Sequence, residues 1–126
     1  MKEFAQIGLL VILSICIIFH VLVLVKTIPY KIVWGSRLTN DTDMYKFETV
    51  SLVLNAFFLL VALLEAEFLE FEFPERILNY ILWGMFVLFL FNIFGNIQSK
   101  NTLEKMIFTP IAVLLMIFSF ILAVIK

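Results

Sequence analysis

The sequence predicts an all-α integral membrane protein, an antiparallel bundle of four transmembrane helices. Of its 126 residues, 63% are hydrophobic and only 15% are charged, and the mean hydropathy is +1.11. A soluble domain carries about 25% charged residues, so the composition indicates a protein solvated by lipid. The chain also holds four apolar runs, each close to the roughly 20 residues that a helix needs to cross a bilayer.

The four apolar runs give the bounds of the predicted helices. None of them alternates apolar with polar residues, so membrane barrels are excluded and helices must satisfy the backbone hydrogen bonds. A chain of 126 residues leaves no room for a further domain around four such helices. We therefore expect a single domain over 1–126, with helices at about 5–25, 47–68, 77–97 and 107–125.

Capping residues precede three of these helices. Asn40 offers a side-chain acceptor for a helix 2 that begins a little before the membrane. Pro74 suits the first turn of helix 3, where its missing amide proton costs nothing. Asn101, followed three residues later by Glu104, resembles a capping box that opens helix 4.

The distribution of basic residues predicts the orientation. Six of the nine Lys and Arg residues lie in or beside the first and third loops. The positive-inside rule then makes these loops cytoplasmic and both termini non-cytoplasmic, in a multi-pass protein of the cell membrane. The acidic stretch 63–76 forms the outer hairpin, where its five glutamates are hydrated or, alternatively, gather cations weakly at a mouth.

Polar residues inside the predicted spans are the candidate site, because an unpaired polar group in lipid is costly and usually faces a neighbouring helix or a cavity. In an antiparallel bundle, seven of them fall at similar depth in the cytoplasmic half of the membrane. We expect their side chains to form a polar pocket for a small ligand or ion. They are His20, Glu48, Ser51, Asn55, Asn92, Asn96 and Thr109.

Glu48 and His20 are the titratable members of this predicted pocket, and Glu48 is the residue expected to carry function. The alternative is structural, because Asn and Ser side chains between membrane helices often serve only to hold the helices together, at under about 1 kcal/mol each. Gly84 and Gly95 of helix 3 are expected to permit close approach of a neighbouring helix.

The first loop is longer than a connection between bundle helices requires. Its aromatic residues predict anchoring at the membrane interface, and its arginine predicts a contact with an anionic headgroup or an ion pair with Glu48. The residues concerned are Tyr30, Trp34 and Arg37.

Absent motifs narrow the function. None of the common catalytic or nucleotide-binding motifs occurs, and with a single His and a single Cys, catalytic dyads and metal centres within a monomer are poorly supplied. A net charge of −1 gives no surface for nucleic acid.

We therefore expect a non-enzymatic protein of the lipid bilayer, without a cofactor, that binds or translocates a small solute or ion through the pocket. Homo-oligomerisation or a larger membrane-protein partner is also expected, because four short helices enclose little volume. The alternative is an accessory, chaperone-like or immunity-type subunit that docks on a larger membrane protein, and a membrane enzyme ranks third.

Overall fold

The protein is all-helical over the residues that its structure, a computed structural model, describes: 2–28, 40–69, 73–98 and 102–125. Four helices lie in these ranges, and each is long and apolar enough to cross a membrane. This confirms the prediction of four long apolar helices. They are α1 (Lys2–Leu24), α2 (Asp41–Glu65), α3 (Glu75–Ile97) and α4 (Thr102–Val124).

The starts of the helices follow their capping chemistry. Asn40 is the N-cap of α2, and its side chain accepts a hydrogen bond from the backbone nitrogen of Asp43 at 2.8 Å. This cap explains why α2 begins before its apolar run. Pro74 occupies the N-cap position of α3 and makes no side-chain capping bond. The predicted cap of α4, Asn101, lies outside the described residues.

The ends of α1 and α2 are Schellman motifs built without glycine. After α2, the backbone nitrogen of Phe68 donates to the oxygen of Leu63 at 3.1 Å, and that of Glu67 donates to Leu64 at 3.2 Å. Glu67 has a φ of 61°, and Lys26 takes the same left-handed conformation after α1 with a φ of 65°. These bonds satisfy carbonyl groups that would otherwise be left open at the helix ends.

Helices that pack together run in opposite directions. Near the start of α1, Nε2 of Gln6 donates to the backbone oxygen of Glu65 at the end of α2, at 3.3 Å. Near the end of α1, the ring of Phe19 lies 4.9 Å from that of Phe108, centroid to centroid, at the start of α4. The helix α1 packs on α2 and α4, and α4 packs on α3, whereas α2 and α3 make few contacts. The bundle is therefore open between α2 and α3.

The main packed core fills only one half of the bundle. It combines residues early in α1 and in the first part of α3 with residues late in α2 and α4. They recur at intervals of three and four residues, which places them on one face of each helix. The largest fully buried apolar side chains of this half are Leu9, Leu13, Val61, Leu82 and Met85.

Close approach of two helices occurs at Gly8 rather than at the two predicted glycines of α3. A Cβ atom at Gly8 would lie 2.5 Å from Cε2 of Phe118, so the start of α1 is in tight contact with α4. A Cβ atom at Gly84 or at Gly95 would meet no atom within 4 Å. The expectation that these two glycines permit close packing is therefore wrong, because both lie on exposed positions of α3.

Candidate functional site

A pocket of about 770 Å³ lies in the half of the bundle opposite the main packed core. It exists because α2 and α3 stand apart here, while α1 and α4 close its back. At its inner end the rings of Phe58 and Phe89 meet edge to face, with centroids 5.6 Å apart. Both residues line the pocket and also belong to the packed core, so they form the boundary between the two halves.

Most of the polar residues predicted as a site come together in this pocket. The five that line it are His20, Ser51, Asn55, Asn92 and Asn96.

Two predicted site residues do not line the pocket. Glu48 is fully buried and lies against His20. Thr109 follows the lining residue Phe108, and its buried hydroxyl has no hydrogen-bond partner within the described ranges. Similar depth in the membrane therefore does not by itself bring a polar side chain to the cavity.

Glu48 and His20 form a pair between α2 and α1. Oε2 of Glu48 lies 2.5 Å from Nδ1 of His20, and the side chain of His20 is 18% exposed whereas that of Glu48 is 0% exposed. Burial of a carboxylate is costly unless it is hydrogen-bonded, and the ring nitrogen provides that bond. Glu48 thus lies inside the bundle and not on its surface. Its other predicted partner, Arg37, lies outside the described residues, as do Tyr30 and Trp34.

The amide side chains in the pocket are engaged to different degrees. Nδ2 of Asn55 donates to the backbone oxygen of Ser51 at 2.7 Å, which leaves the Asn55 side-chain oxygen as an acceptor. Asn92 and Asn96 have no side-chain hydrogen-bond partner in the part of the chain that the structure describes. They stand one turn apart on α3 and offer the cavity two sets of amide donors and acceptors.

Aromatic rings make up much of the remaining wall, which the sequence reasoning missed. The sole cysteine, Cys16, also lies in this wall. The pocket is therefore amphipathic, with a largely apolar wall that carries a few hydrogen-bonding groups. The lining rings belong to Phe19, Phe47, Phe58, Phe89, Phe91 and Phe108.

Asp43 also lines the pocket, and the sequence analysis did not predict it as a site residue. The sequence carried a usable signal, because Asp43, Phe47, Ser51 and Asn55 recur every four residues and so share one face of α2. The carboxylate accepts a hydrogen bond from Nδ2 of Asn40 at 3.2 Å. Among the described residues, no Lys or Arg lines the pocket.

An ion pair joins the end of α1 to the start of α2 beyond the pocket. Nζ of Lys26 lies 2.5 Å from Oδ2 of Asp41, and both side chains are about half-exposed. The hydrogen bond that the Lys26 ammonium donates to the Asp41 carboxylate raises the pKa of Lys26. The same ammonium lies 5.8 Å from the ring centroid of Tyr45. The charge of Lys26 is therefore compensated locally.

The acidic turn between α2 and α3 lies at the packed end, away from the pocket. Glu67 and Glu75 are exposed and Glu65 is half-buried, whereas Glu70 and Glu72 lie outside the described residues. Within the described ranges, no group of three or more His, Cys, Asp or Glu side chains is arranged to hold a metal ion.

Comparisons of the chain with protein-family models, with curated proteins and with solved structures find no match. Its function must therefore be inferred from the chemistry of the pocket.

Proposed function

We propose that this chain is a non-enzymatic membrane protein that binds a small amphipathic solute in the pocket between α2 and α3. The observation that carries the proposal is the meeting, in one cavity of about 770 Å³, of an aromatic wall with the amides of Asn92 and Asn96, which bond to no other described side chain. Small-molecule sites typically measure about 300–1,000 Å³ and combine apolar walls with a few polar groups that orient the ligand. This pocket has both the size and that composition.

The outward faces of the helices support a location in the cell membrane. Large apolar side chains point away from the bundle on every helix, and Phe4, Val53, Phe94 and Met106 are between 55% and 70% exposed. Soluble monomers rarely expose contiguous apolar patches larger than a few hundred Å². Lipid is the solvent that such a surface fits, so we place all four helices across the bilayer.

Access to the pocket is lateral. We expect the opening to lie along the flank between α2 and α3, because these helices make few contacts and the packed core fills the bundle beyond Phe58 and Phe89. A solute dissolved in the bilayer would reach the pocket from this flank. Because the core occupies the other half, the geometry favours binding over translocation across the bundle.

Filling the pocket from Gly95 is expected to abolish binding. Gly95 lines the cavity and has open space where a Cβ atom would be, so Gly95→Phe places a ring in the cavity without disturbing helix packing. Gly84→Phe is the matched control, because Gly84 is also an open, exposed glycine of α3 but does not line the pocket. Helix propensity rises by a similar amount in both variants.

The measurement is equilibrium dialysis of three probes against the purified protein in neutral detergent micelles: tetraphenylphosphonium, triphenylphosphine oxide and tetraphenylborate. We expect at least one probe to bind the wild type and Gly84→Phe with similar affinity. The same probe should bind Gly95→Phe at least about tenfold more weakly. Alkylation of Cys16 by N-ethylmaleimide gives a second readout, because a bound probe shields this lining residue.

Equal binding of every probe to the two glycine variants, or no binding at all, would contradict a ligand pocket. Co-purification of one larger membrane protein in stoichiometric amount would then favour the accessory role. In that role the outward faces of the helices, and not the pocket, bind the larger protein.

We further propose that the pocket half of the bundle faces the cytoplasm and that both termini are non-cytoplasmic, because the basic residues favour the first and third loops. In a Cys16→Ala background, a membrane-impermeant maleimide applied to intact cells should label a cysteine at Glu67 and not one at Asn40. Labelling at Asn40 alone would reverse the orientation, and lysed cells, in which both sites react, provide the control.

A further inference from the structure

We propose that the pocket selects aromatic molecules that carry a strong hydrogen-bond acceptor, such as an aryl ketone, an aryl amide or a phosphoryl group bonded to aryl rings. This inference rests on the binding function proposed for the pocket and names the class of ligand that it takes. The juxtaposition that carries it is a set of phenylalanine rings from all four helices beside the neighbouring amides of Asn92 and Asn96.

The two amides on α3 supply hydrogen-bond donors to the cavity. Asn92 and Asn96 line it one helical turn apart, and neither has a hydrogen-bond partner among the described residues. Gly95 also lines the cavity and has open space where a Cβ atom would be. A ligand oxygen can therefore approach α3 beside Gly95 and accept an N–H from one or both amides.

The wall on α2 offers mainly acceptors, apart from the hydroxyl of Ser51. The Asp43 carboxylate accepts a hydrogen bond from Asn40 and has no hydrogen of its own to donate. Nδ2 of Asn55 is bonded to the backbone oxygen of Ser51, which leaves the Asn55 side-chain oxygen as an acceptor. An acceptor on the ligand is therefore better matched by α3 than by α2, and this difference orients the ligand in the pocket.

The surroundings of the pocket strengthen the preference for an acceptor. Hydrocarbon cannot form hydrogen bonds, so an unpaired amide or an unpaired ligand oxygen is costly in the bilayer in which these helices are proposed to lie. When the ligand oxygen accepts from Asn92 or Asn96, both groups gain the partner that they lack. A ligand without an acceptor leaves the amides unpaired.

The apolar part of the wall is aromatic on every helix. Phe19 lies on α1, Phe47 on α2, Phe91 on α3 and Phe108 on α4. The rings of Phe19 and Phe108 meet with planes at 61°. In such an inclined pair, the ring that offers its edge keeps its faces out of the pair, so aromatic surface remains for a further ring. Each ring of the ligand that packs on one of these rings gains about two- to tenfold in affinity beyond the area that it buries.

Three neutral molecules of similar shape separate the two features of the ligand. Triphenylphosphine oxide has aromatic rings and a strong acceptor. Triphenylphosphine sulfide keeps the rings and carries sulfur, a weak acceptor, in place of the oxygen. Tricyclohexylphosphine oxide keeps the oxygen and has saturated rings. Because none of the three is charged, the order in which they bind does not depend on the charged residues at this end of the bundle.

Equilibrium dialysis against the wild type in neutral detergent micelles should show triphenylphosphine oxide bound at least about threefold more tightly than either of the other two molecules. Burial of apolar area alone predicts the reverse order, because the sulfide and the cyclohexyl compound are the more hydrophobic molecules. The Gly95→Phe protein in the same micelles measures and removes the contribution of probe that dissolves in detergent.

The double substitution Asn92→Leu and Asn96→Leu should weaken the binding of triphenylphosphine oxide by about three- to tenfold and leave that of the sulfide within about twofold. Leu keeps the branched shape of Asn without its donors and acceptors, and it favours both helix formation and lipid. Asn79→Leu is the matched control, since it makes the same change on α3 at a residue that does not line the pocket. It should leave the binding of all three molecules unchanged.

Three results would overturn the inference while leaving a ligand pocket in place. The first is binding of the sulfide or the cyclohexyl compound, lost in Gly95→Phe, that equals or exceeds binding of triphenylphosphine oxide. The second is a loss of triphenylphosphine oxide binding in the double variant that is no larger than in Asn79→Leu. The third is binding of a charged probe in the pocket without any binding of triphenylphosphine oxide.

Binding that is insensitive to Gly95→Phe for every probe would instead overturn the pocket, and the preference for aromatic acceptors with it. The comparison of the three neutral molecules on the wild type stands even if a variant fails to fold.

Discussion

Replacing His20 with Leu is expected to lower the free energy of unfolding by about 3 kcal/mol, because Glu48 then stays buried without the ring nitrogen that now lies 2.5 Å from it. Glu48→Gln keeps the shape of the side chain and its hydrogen-bonding capacity, so it should cost about 1 kcal/mol or less. Changing both residues to Leu should be milder than His20→Leu alone, since the buried carboxylate is removed together with the ring that it pairs with.

Unfolding by SDS, followed by circular dichroism, of the wild type, His20→Leu, Glu48→Leu and the double Leu variant gives a double-mutant cycle, and Glu48→Gln is measured beside it. A coupling energy of about 2 kcal/mol or more is expected between the two positions. Additive effects of the two single Leu substitutions would contradict the pair.

Gly8→Leu is expected to destabilise the protein by about 3 kcal/mol. Even a Cβ atom would lie 2.5 Å from Cε2 and 2.7 Å from Cζ of Phe118. The Phe118 ring is buried and contacts the edge of Phe4, with centroids 5.6 Å apart, so it has little room to move away. The gain of about 1 kcal/mol in helix propensity does not offset overpacking of this size.

Two comparisons make the Gly8 experiment specific. Gly84→Leu, at a position with no atom within 4 Å of the new Cβ, should leave the SDS midpoint unchanged or raise it slightly. Phe118→Leu should partly rescue Gly8→Ala, because the smaller side chain vacates the space that the Cβ atom needs. A Gly8→Leu protein as stable as the wild type would mean that α1 and α4 do not approach each other here.

Composition and the length of the apolar runs were sufficient to predict four long helices, because each run has to provide enough apolar residues to cross a bilayer. The cap at Asn40 was also predictable, since its side chain acts on a backbone nitrogen three residues away. The helix ends at Lys26 and Glu67 were not predictable in this way. Both take the left-handed conformation without the glycine that usually marks it.

The membership of the pocket was predictable in part. Shared depth was enough to indicate His20, Asn55 and Asn92, because antiparallel helices place these positions near one level. Shared depth contains no information about rotation around the helix axis, and this is why Thr109 was expected in the pocket and Asp43 was not. The same limit explains why Gly84 and Gly95 were wrongly expected to permit close packing. The sequence does not tell which face of α3 meets a neighbouring helix.

The gap between α2 and α3 had no signature in the sequence. These helices follow each other in the chain, and consecutive helices usually pack together. Here they make few contacts, among them the ring contact of Phe58 with Phe89, and we infer that α1 and α4 set the spacing of the other two. Such spacing is a collective property of the side chains on all four helices.

The one-sided core gives the bundle a gradient of mechanical stiffness along its axis. At the end that holds Leu9, Leu82 and Met85, a relative displacement of helices would break dense apolar packing. At the other end, α2 stays joined to α1 through Val23 and Met44, whereas α2 and α3 make few contacts, so we expect a displacement of α2 and α3 relative to each other to break less packing. We therefore expect the packed end to stay rigid while the pocket end adjusts to ligands of different width.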